Sequence, residues 1–326
     1  MNLAPRTLVS VAVLVCLASC HRSEPPRTDR EVRPVTIKGV HADRVTFYSS
    51  SLGRRKQYLV VRPENSNQLE GFGVIYLLHG FGGEPADWLR WSHLHDYLRN
   101  RKLIAVLPEG DNSYYVNAAE VPEDHYADYI ANDVPNDVET HYPVAAKRES
   151  RLIGGLSMGG YGAFYLGLKH PDRYWFVGSM SNAADAPTRK FSFERFGQYW
   201  RLRKIFGPPG SVVREDYDPF YLVKSAQNPK GLPYIYLACG NKDSLLGVNR
   251  LLDRSLSAAH IDHVYRETPG AHNWRYWDQA LKGMFDVMDK VSPENVDSTV
   301  SLPAPSPQSP QPPASASAPS HHRSSP

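Results

Sequence analysis

Short apolar runs alternate with helix-compatible stretches through the middle of the chain. The apolar runs cover residues 73–78, 103–107, 152–153, 175–180 and 234–238. The helical stretches cover residues 87–99, 126–141, 160–169, 245–259 and 276–291. A continuous apolar run is typical of a strand that is buried on both faces. The alternation therefore predicts an α/β fold in which helices cover both faces of a mostly parallel sheet.

Three further β-rich segments flank this pattern. Residues 45–49 and 57–62 are separated by a turn signal and predict an antiparallel pair at an edge of the sheet. Residues 262–267 predict the last strand. Ligands of such sheets bind beyond the carboxyl ends of the strands, so the loops that follow the strands are where chemistry is expected.

The N-terminal residues predict export. A basic start and a short apolar stretch over residues 1–19 are typical of a signal peptide, and the segment is too short for a stable membrane span. The sequence Leu-Ala-Ser-Cys that ends at Cys20 matches a bacterial lipobox. It predicts a lipoprotein anchored in the cell envelope through lipid on Cys20, with residues 20–39 as a tether. An ordinary cleaved signal, with an incidental cysteine, is the alternative.

A single folded domain is expected over residues 40–291. Residues 292–326 are dominated by Pro, Ser and Ala, and they predict a disordered tail because they cannot bury enough apolar surface. Of the three cysteines, only Cys239 lies in the predicted domain, so no intrachain disulfide is expected there. Stability must then come from a packed core.

Charge patterning gives no sign of a nucleic-acid partner. The formal net charge is only +3, and no basic stripe is interleaved with aromatic residues. The cationic residues within 189–204 are interpreted as a solvated helix face.

The pattern Gly-x-Ser-x-Gly at Gly155, Ser157 and Gly159 is the most specific chemical signal in the chain. It follows an apolar run and precedes a helical stretch. At such a strand-to-helix turn the serine hydroxyl is exposed above the sheet, where it can act as a nucleophile. A glycine-rich turn with a bystander serine is the alternative interpretation.

A nucleophilic serine needs a base and an orienting acid, which in this class of sheet follow it in the order acid, then histidine. Asp243 lies just after the strand predicted at 234–238, and His272 lies on a loop before the last helix. Asp243 could instead be a helix N-cap. Asp218 and Asp253 are weaker candidates for the acid.

Two backbone amides are expected to stabilise the oxyanion of the reaction. Met158 follows the nucleophile, and Phe81 lies in a glycine-rich loop after an earlier strand. His79 precedes Phe81 and is interpreted as a structural residue. Aromatic residues near the expected site could stack on an acyl group or a sugar; the candidates for substrate binding are Trp88, Tyr115 and Trp274. For each of these three residues, packing in the core or at the rim of the site is the alternative to substrate binding.

Six sequence blocks together resemble the esterase D family of α/β-hydrolases. They cover residues 51–53, 76–80, 155–160, 170–172, 239–243 and 270–274. This family includes S-formylglutathione hydrolases, feruloyl and acetylxylan esterases and mycobacterial mycolyltransferases. The resemblance implies an α/β-hydrolase fold over residues 45–285. By position it also implies Ser157 as nucleophile, His272 as base and Asp243 as acid.

The resulting hypothesis is a serine carboxylesterase that acts through a covalent acyl-enzyme. It requires no metal and no organic cofactor, and its expected substrate is a small-molecule or glycan-linked ester. An acyltransferase with the same residues is one alternative, because an acceptor alcohol can replace water. A non-catalytic binding protein tethered to the envelope is the other, since a fold alone does not prove activity.

Overall fold

A nine-stranded sheet is the centre of the structure, a computed structural model that describes residues 30–63, 71–191 and 193–292. The strands are β1 (Glu31–Ile37), β2 (Val40–Ser49), β3 (Arg54–Val61), β4 (Gly73–Leu78), β5 (Leu103–Pro108), β6 (Arg151–Leu156), β7 (Phe176–Met180), β8 (Tyr234–Gly240) and β9 (His263–Thr268). Their spatial order is β1-β2-β3-β5-β4-β6-β7-β8-β9. The strands β1, β2, β3 and β5 pair antiparallel in that order, and all pairs from β5 to β9 are parallel.

Helices pack on both faces of this sheet. They are α1 (Asp87–Trp91), α2 (Leu94–Leu98), α3 (Tyr126–Asp128), α4 (Val134–His141), α5 (Met158–Lys169), α6 (Phe196–Phe206), α7 (Val212–Asp216), α8 (Pro219–Ser225), α9 (Leu246–Ala258) and α10 (Trp274–Val291). Two hydrophobic cores result. One joins the sheet to α5 and α9, and the other joins it to α10 and the α1–α2 segment. The predicted α/β fold with helices on both faces is confirmed.

The central strands are apolar on both faces because both faces are covered. Every residue of β5 and of β7 is buried, and β4 is buried from its second residue onward. Such strands cannot show the alternation of a half-exposed sheet. The continuous apolar runs therefore identified these strands correctly.

The folded domain begins earlier than expected. Residues Glu31–Ile37 form β1 and pair in register with Val40–Thr46 of β2. The prediction that a tether extends to residue 39 is wrong for this segment. Its side chains are mostly exposed, so it lacks the apolar run by which the inner strands were recognised. The predicted signal peptide, Cys20 and the tail over 293–326 lie outside the described residues.

Two of the predicted helices are interrupted. The helix expected over 87–99 is divided into α1 and α2. The helix expected over 126–141 contains a π-helical turn, Tyr129–Asp133, between α3 and α4. Pro135 follows this turn and has no N–H to continue the helical ladder, while the carbonyl of Ala131 accepts a hydrogen bond from Arg173 instead.

Candidate active site

Ser157 lies at a sharp turn between β6 and α5. Its φ and ψ are 54° and −114°, which is a costly conformation for a residue with a side chain. Two backbone hydrogen bonds support the turn, from the Ser157 amide to the Met180 carbonyl at 2.8 Å and from the Tyr161 amide to the Ser157 carbonyl at 3.0 Å. The surrounding structure thus holds the serine in the strained geometry expected of an exposed nucleophile.

The two glycines of the motif allow backbone segments to approach this turn. A Cβ on Gly159 would lie 2.1 Å from the Leu78 carbonyl oxygen, and one on Gly155 would lie 2.3 Å from the Gly159 carbonyl oxygen. Both obstacles are backbone atoms that cannot rotate away. The pattern Gly-x-Ser-x-Gly is therefore a packing requirement of this turn.

We expect Gly159→Ala to lower the free energy of unfolding by about 3 kcal/mol, because the methyl group must displace the β4 backbone. Chemical denaturation measures this change. The matched control is Gly197→Ala, since a Cβ at that position in α6 meets nothing within 4 Å. This control should stabilise the protein by about 0.5–1 kcal/mol through helix propensity. Equal stability of the two variants would contradict the packing argument.

The structure brings Ser157, His272 and Asp243 into one hydrogen-bonded series. His272 Nε2 lies 2.9 Å from Ser157 Oγ. His272 Nδ1 lies 2.9 Å from Asp243 Oδ2 and 3.1 Å from Oδ1. Each residue follows a strand or precedes a helix at the carboxyl edge of the sheet: Ser157 follows β6, Asp243 follows β8 and His272 lies between β9 and α10. The series joins residues 115 positions apart in sequence.

Asp243 is placed to remain ionised. Its side chain has no solvent exposure, whereas that of His272 is 33% exposed. Burial alone would raise the pKa of the Asp243 carboxyl, but hydrogen bonds from His272, the Leu245 amide and Ser181 outweigh it and lower the pKa. The Leu245 amide donates at 2.8 Å, so Asp243 both caps a turn and orients the imidazole.

Ser181 and Trp277 extend the series, and the sequence analysis missed Ser181 altogether. Ser181 is fully buried, has a φ of 48°, and its hydroxyl helps to lower the pKa of Asp243. Its Oγ accepts a hydrogen bond of 3.0 Å from Trp277 Nε1, and the Trp277 ring packs edge-on against His272 at 4.9 Å between centroids. The two residues therefore contact both the acid and the imidazole. No sequence pattern marks Ser181, because it becomes relevant only when β7 packs beside β8.

We expect Ser181→Ala to lower kcat by about tenfold and to leave KM unchanged, because Asp243 loses a hydroxyl that stabilises its charge and Trp277 loses its hydrogen-bond acceptor. Steady-state kinetics on p-nitrophenyl acetate measures both constants. Trp277→Phe keeps the ring beside His272 and removes the Nε1 donor, so it should lower kcat by less. A rise in KM with unchanged kcat would show that Ser181 does not act through the imidazole.

The loop of residues 78–81 runs beside Ser157. A Cβ on Gly80 would lie 3.6 Å from the Ser157 Cβ, so the backbone that precedes Phe81 lies next to the nucleophile. Met158 begins α5, and the amides of a first helical turn have no partner within the helix. The oxyanion role that the loop and the motif predict for these two amides requires a placement of this kind. Their roles stay predictions.

Both ring nitrogens of His79 form hydrogen bonds with the backbone near this loop. Its Nδ1 lies 2.8 Å from the Gly80 carbonyl, and its Nε2 accepts a hydrogen bond of 3.0 Å from the Gly110 amide. Burial lowers the pKa of His79, so the ring is held neutral. His79 thus shapes the loop backbone, which agrees with its interpretation as a structural residue.

Two of the three aromatic residues expected to bind substrate do not reach the surface. Trp88 and Tyr115 are both 0% exposed. Trp88 lies in the core under α10, and the Tyr115 hydroxyl donates to the His79 carbonyl at 3.0 Å. Their predicted role is wrong, because sequence position placed them near the site but packing directs them inward. Trp274 is half-buried against Trp88 and Trp277, and its role stays a prediction.

The two other candidates for the catalytic acid, Asp218 and Asp253, interact with residues outside the site. Asp218 caps α8 by accepting a hydrogen bond from the Phe220 amide at 2.9 Å. Asp253 pairs with His263 at 3.2 Å. Neither contacts His272. Over residues 30–63, 71–191 and 193–292, no group of three His, Cys, Asp or Glu side chains is arranged to hold a metal ion.

Comparison with known proteins assigns the family. The esterase family model, described as "Putative esterase", matches residues 49–288. An acetyl esterase from Caldicellulosiruptor saccharolyticus is 32% identical over 261 residues, which are 76% of this chain and 98% of the relative. The chain belongs to this esterase family. It is therefore an enzyme of the serine hydrolase type that acts on ester bonds.

Solved structures agree with this esterase assignment. FphF, a fluorophosphonate-binding serine hydrolase of Staphylococcus aureus, has a TM-score of 0.65 and 25% identity, covering 79% of the esterase and 98% of FphF. An S-formylglutathione hydrolase from Agrobacterium tumefaciens has a TM-score of 0.69 and 18% identity, covering 80% of the esterase and 99% of that chain. The second likeness shows the α/β-hydrolase fold alone. The resemblance noted in the sequence is confirmed at the level of family and fold.

Proposed function

We propose that the protein is a serine carboxylesterase in which Ser157, His272 and Asp243 form the catalytic triad. One observation carries this proposal: His272 lies within hydrogen-bond distance of both the Ser157 hydroxyl and the Asp243 carboxylate, at 2.9 Å in each case. This is the arrangement that activates a serine whose own pKa is too high for attack at neutral pH.

Acylation begins when Ser157 Oγ attacks the ester carbonyl carbon. His272 Nε2 accepts the hydroxyl proton, and the ionised Asp243 stabilises the imidazolium from the Nδ1 side. The negative charge on the carbonyl oxygen is stabilised by the amides of Phe81 and Met158. Collapse of this intermediate breaks the bond to the alkoxy oxygen, which takes the proton from His272 and leaves as an alcohol.

Deacylation repeats these steps with water. His272 removes a proton from water as its oxygen attacks the acyl-serine, and the Ser157 oxygen leaves with the proton that His272 returns. The products are a carboxylic acid and an alcohol, and the enzyme regains its initial state. The name of the acetyl esterase relative makes acetyl the first acyl group to test.

The direct test is labelling of the full-length protein with a fluorophosphonate probe. Such probes react with an activated serine, so mass spectrometry should locate the adduct on Ser157, and heat-denatured protein should remain unlabelled. Absence of labelling would favour a binding protein on the same fold. Product analysis with glycerol in the reaction separates hydrolysis from acyl transfer, because a transferase would form acetylglycerol.

We also propose that the protein is exported and anchored in the bacterial envelope through lipid on Cys20. The lipobox sequence supports this proposal. Within the described part of the chain, no helix has the length and hydropathy needed to cross a bilayer. Metabolic labelling with palmitate should mark the wild-type protein but not Cys20→Ala. Equal labelling of both would overturn the anchor.

A further inference from the structure

A cavity of about 550 Å³ lies between the segment after β7 and helices α6 to α8. Its volume is within the range of about 300–1,000 Å³ that small-molecule sites occupy. Its lining includes Arg189, Phe191, Tyr199, Arg214, Glu215 and Asp218. Neither Ser157 nor His272 lines this cavity, so it is distinct from the site described above.

Arg214 is the unusual residue of this cavity. It is only 6% exposed, and its Nε is buried without a hydrogen-bond partner. Its hydrogen bond to protein is a long one, 3.4 Å from a terminal nitrogen to the Leu202 carbonyl. Among the described residues, no carboxylate forms an ion pair with it. Burial lowers the pKa of Arg214, which agrees with a guanidinium that lacks compensation.

Arg189 also lines this cavity, but unlike Arg214 it is paired with a carboxylate. Its guanidinium makes two hydrogen bonds of 2.8 Å to the carboxylate of Asp185. A buried charge without such a partner costs several kcal/mol, and buried polar groups in folded proteins are nearly always paired. Arg214 lines the same cavity but has no such carboxylate partner among the described residues, which indicates a missing anionic partner.

We propose that this cavity binds a small organic monocarboxylate, with its carboxylate on Arg214 and its apolar group against Phe191 and Tyr199. A carboxylate matches the planar donors of a guanidinium and can accept two parallel hydrogen bonds. The Phe191 and Tyr199 rings meet edge-on at 5.1 Å between centroids and supply an aromatic wall. Such a wall suits the apolar part of an organic acid.

The charges around the cavity are mixed, because Arg189 and Lys190 line it as well as Arg214. The carboxylates of Glu215 and Asp218 also line it, and Asp218 has a pKa raised by burial and by the charge of Glu215. The ligand is therefore selected by the aromatic wall of Phe191 and Tyr199, which favours an aromatic or aliphatic acid over inorganic phosphate.

Isothermal titration of the full-length protein with benzoate tests this site. Arg214→Met should weaken benzoate binding by about tenfold or more, since it removes a charge-assisted pair. The matched control is Arg254→Met, which removes an exposed cation on α9 and should change the affinity by less than about twofold. The Ser157→Ala variant should bind benzoate as the wild type does, which separates this cavity from the catalytic site.

Thermal melting supplies a second readout. Without ligand, Arg214→Met should melt at or above the wild-type temperature, because it removes an uncompensated buried charge. Benzoate should raise the melting temperature of the wild type and not that of Arg214→Met. If Arg214→Met does not fold, Arg214→Lys keeps the charge and should bind benzoate about tenfold more weakly, because an ammonium lacks the planar fork.

Several outcomes would overturn the proposal. These are no benzoate binding by the wild type, equal binding by Arg214→Met or Arg214→Lys, loss of binding in Ser157→Ala, and tighter binding of phosphate than of benzoate. A lower melting temperature of unliganded Arg214→Met would show that Arg214 already stabilises the protein without a ligand.

Discussion

Ser157→Ala is expected to lower kcat/KM for p-nitrophenyl acetate by a factor on the order of 10⁶. The variant loses the oxygen that forms the acyl-enzyme, and His272 Nε2 loses its partner at 2.9 Å. The residual rate comes from the oxyanion site and from substrate binding. Stopped-flow or steady-state hydrolysis assays measure the change.

Folding should be unaffected by this change, because alanine at a φ of 54° carries the same Cβ as serine. The matched control is Ser255→Ala on α9, whose hydroxyl bonds only the Leu251 carbonyl of its own helix. This control should retain full activity. Activity of Ser157→Ala close to that of the wild type would refute the proposed mechanism, provided that the esterase is free of contaminating hydrolases.

Asp243→Asn should lower kcat by a factor of about 10⁴. The amide is similar in size, but its NH₂ group favours the histidine tautomer that leaves Nδ1 unprotonated, so His272 Nε2 can no longer accept the serine proton. KM should change little, because Asp243 lies behind His272 and is fully shielded from solvent. Steady-state kinetics separates the two constants.

The same variant makes a prediction about stability and pH. The pKa of Asp243 is lowered in the folded state, so its ionisation contributes stability above its unfolded pKa of about 3.9. That contribution is lost as the pH falls through the folded pKa. Asp243→Asn should therefore be less stable than the wild type at about pH 7, and the difference should shrink below about pH 4 in urea titrations.

Asp253→Asn is the matched control for both measurements. Asp253 was a rival for the acid, but it pairs with His263 on the neighbouring strand. Its amide variant should keep kcat within about twofold of the wild type. A large loss of activity in Asp253→Asn, with Asp243→Asn active, would exchange the roles of the two residues.

The sequence by itself determined the class of fold and the main elements of the site. Runs of apolar residues marked the buried strands, and a residue that directly follows such a strand must lie at the carboxyl edge of a parallel sheet. Ser157, Asp243 and His272 could therefore be named, because each lies next to a recognisable strand or helix boundary. The role of the two glycines in the motif could also be predicted from the sequence, because they lie at the turn between a strand and a helix.

The tertiary structure decided which side chains face the site and which are buried. Trp88 and Tyr115 look equivalent to Trp274 in sequence, yet packing directs the first two into the core. Ser181 joins Asp243, and Arg214 faces a cavity without a partner, through contacts between segments far apart along the chain. Local patterns report burial along one element, whereas side-chain orientation depends on the elements that pack against it.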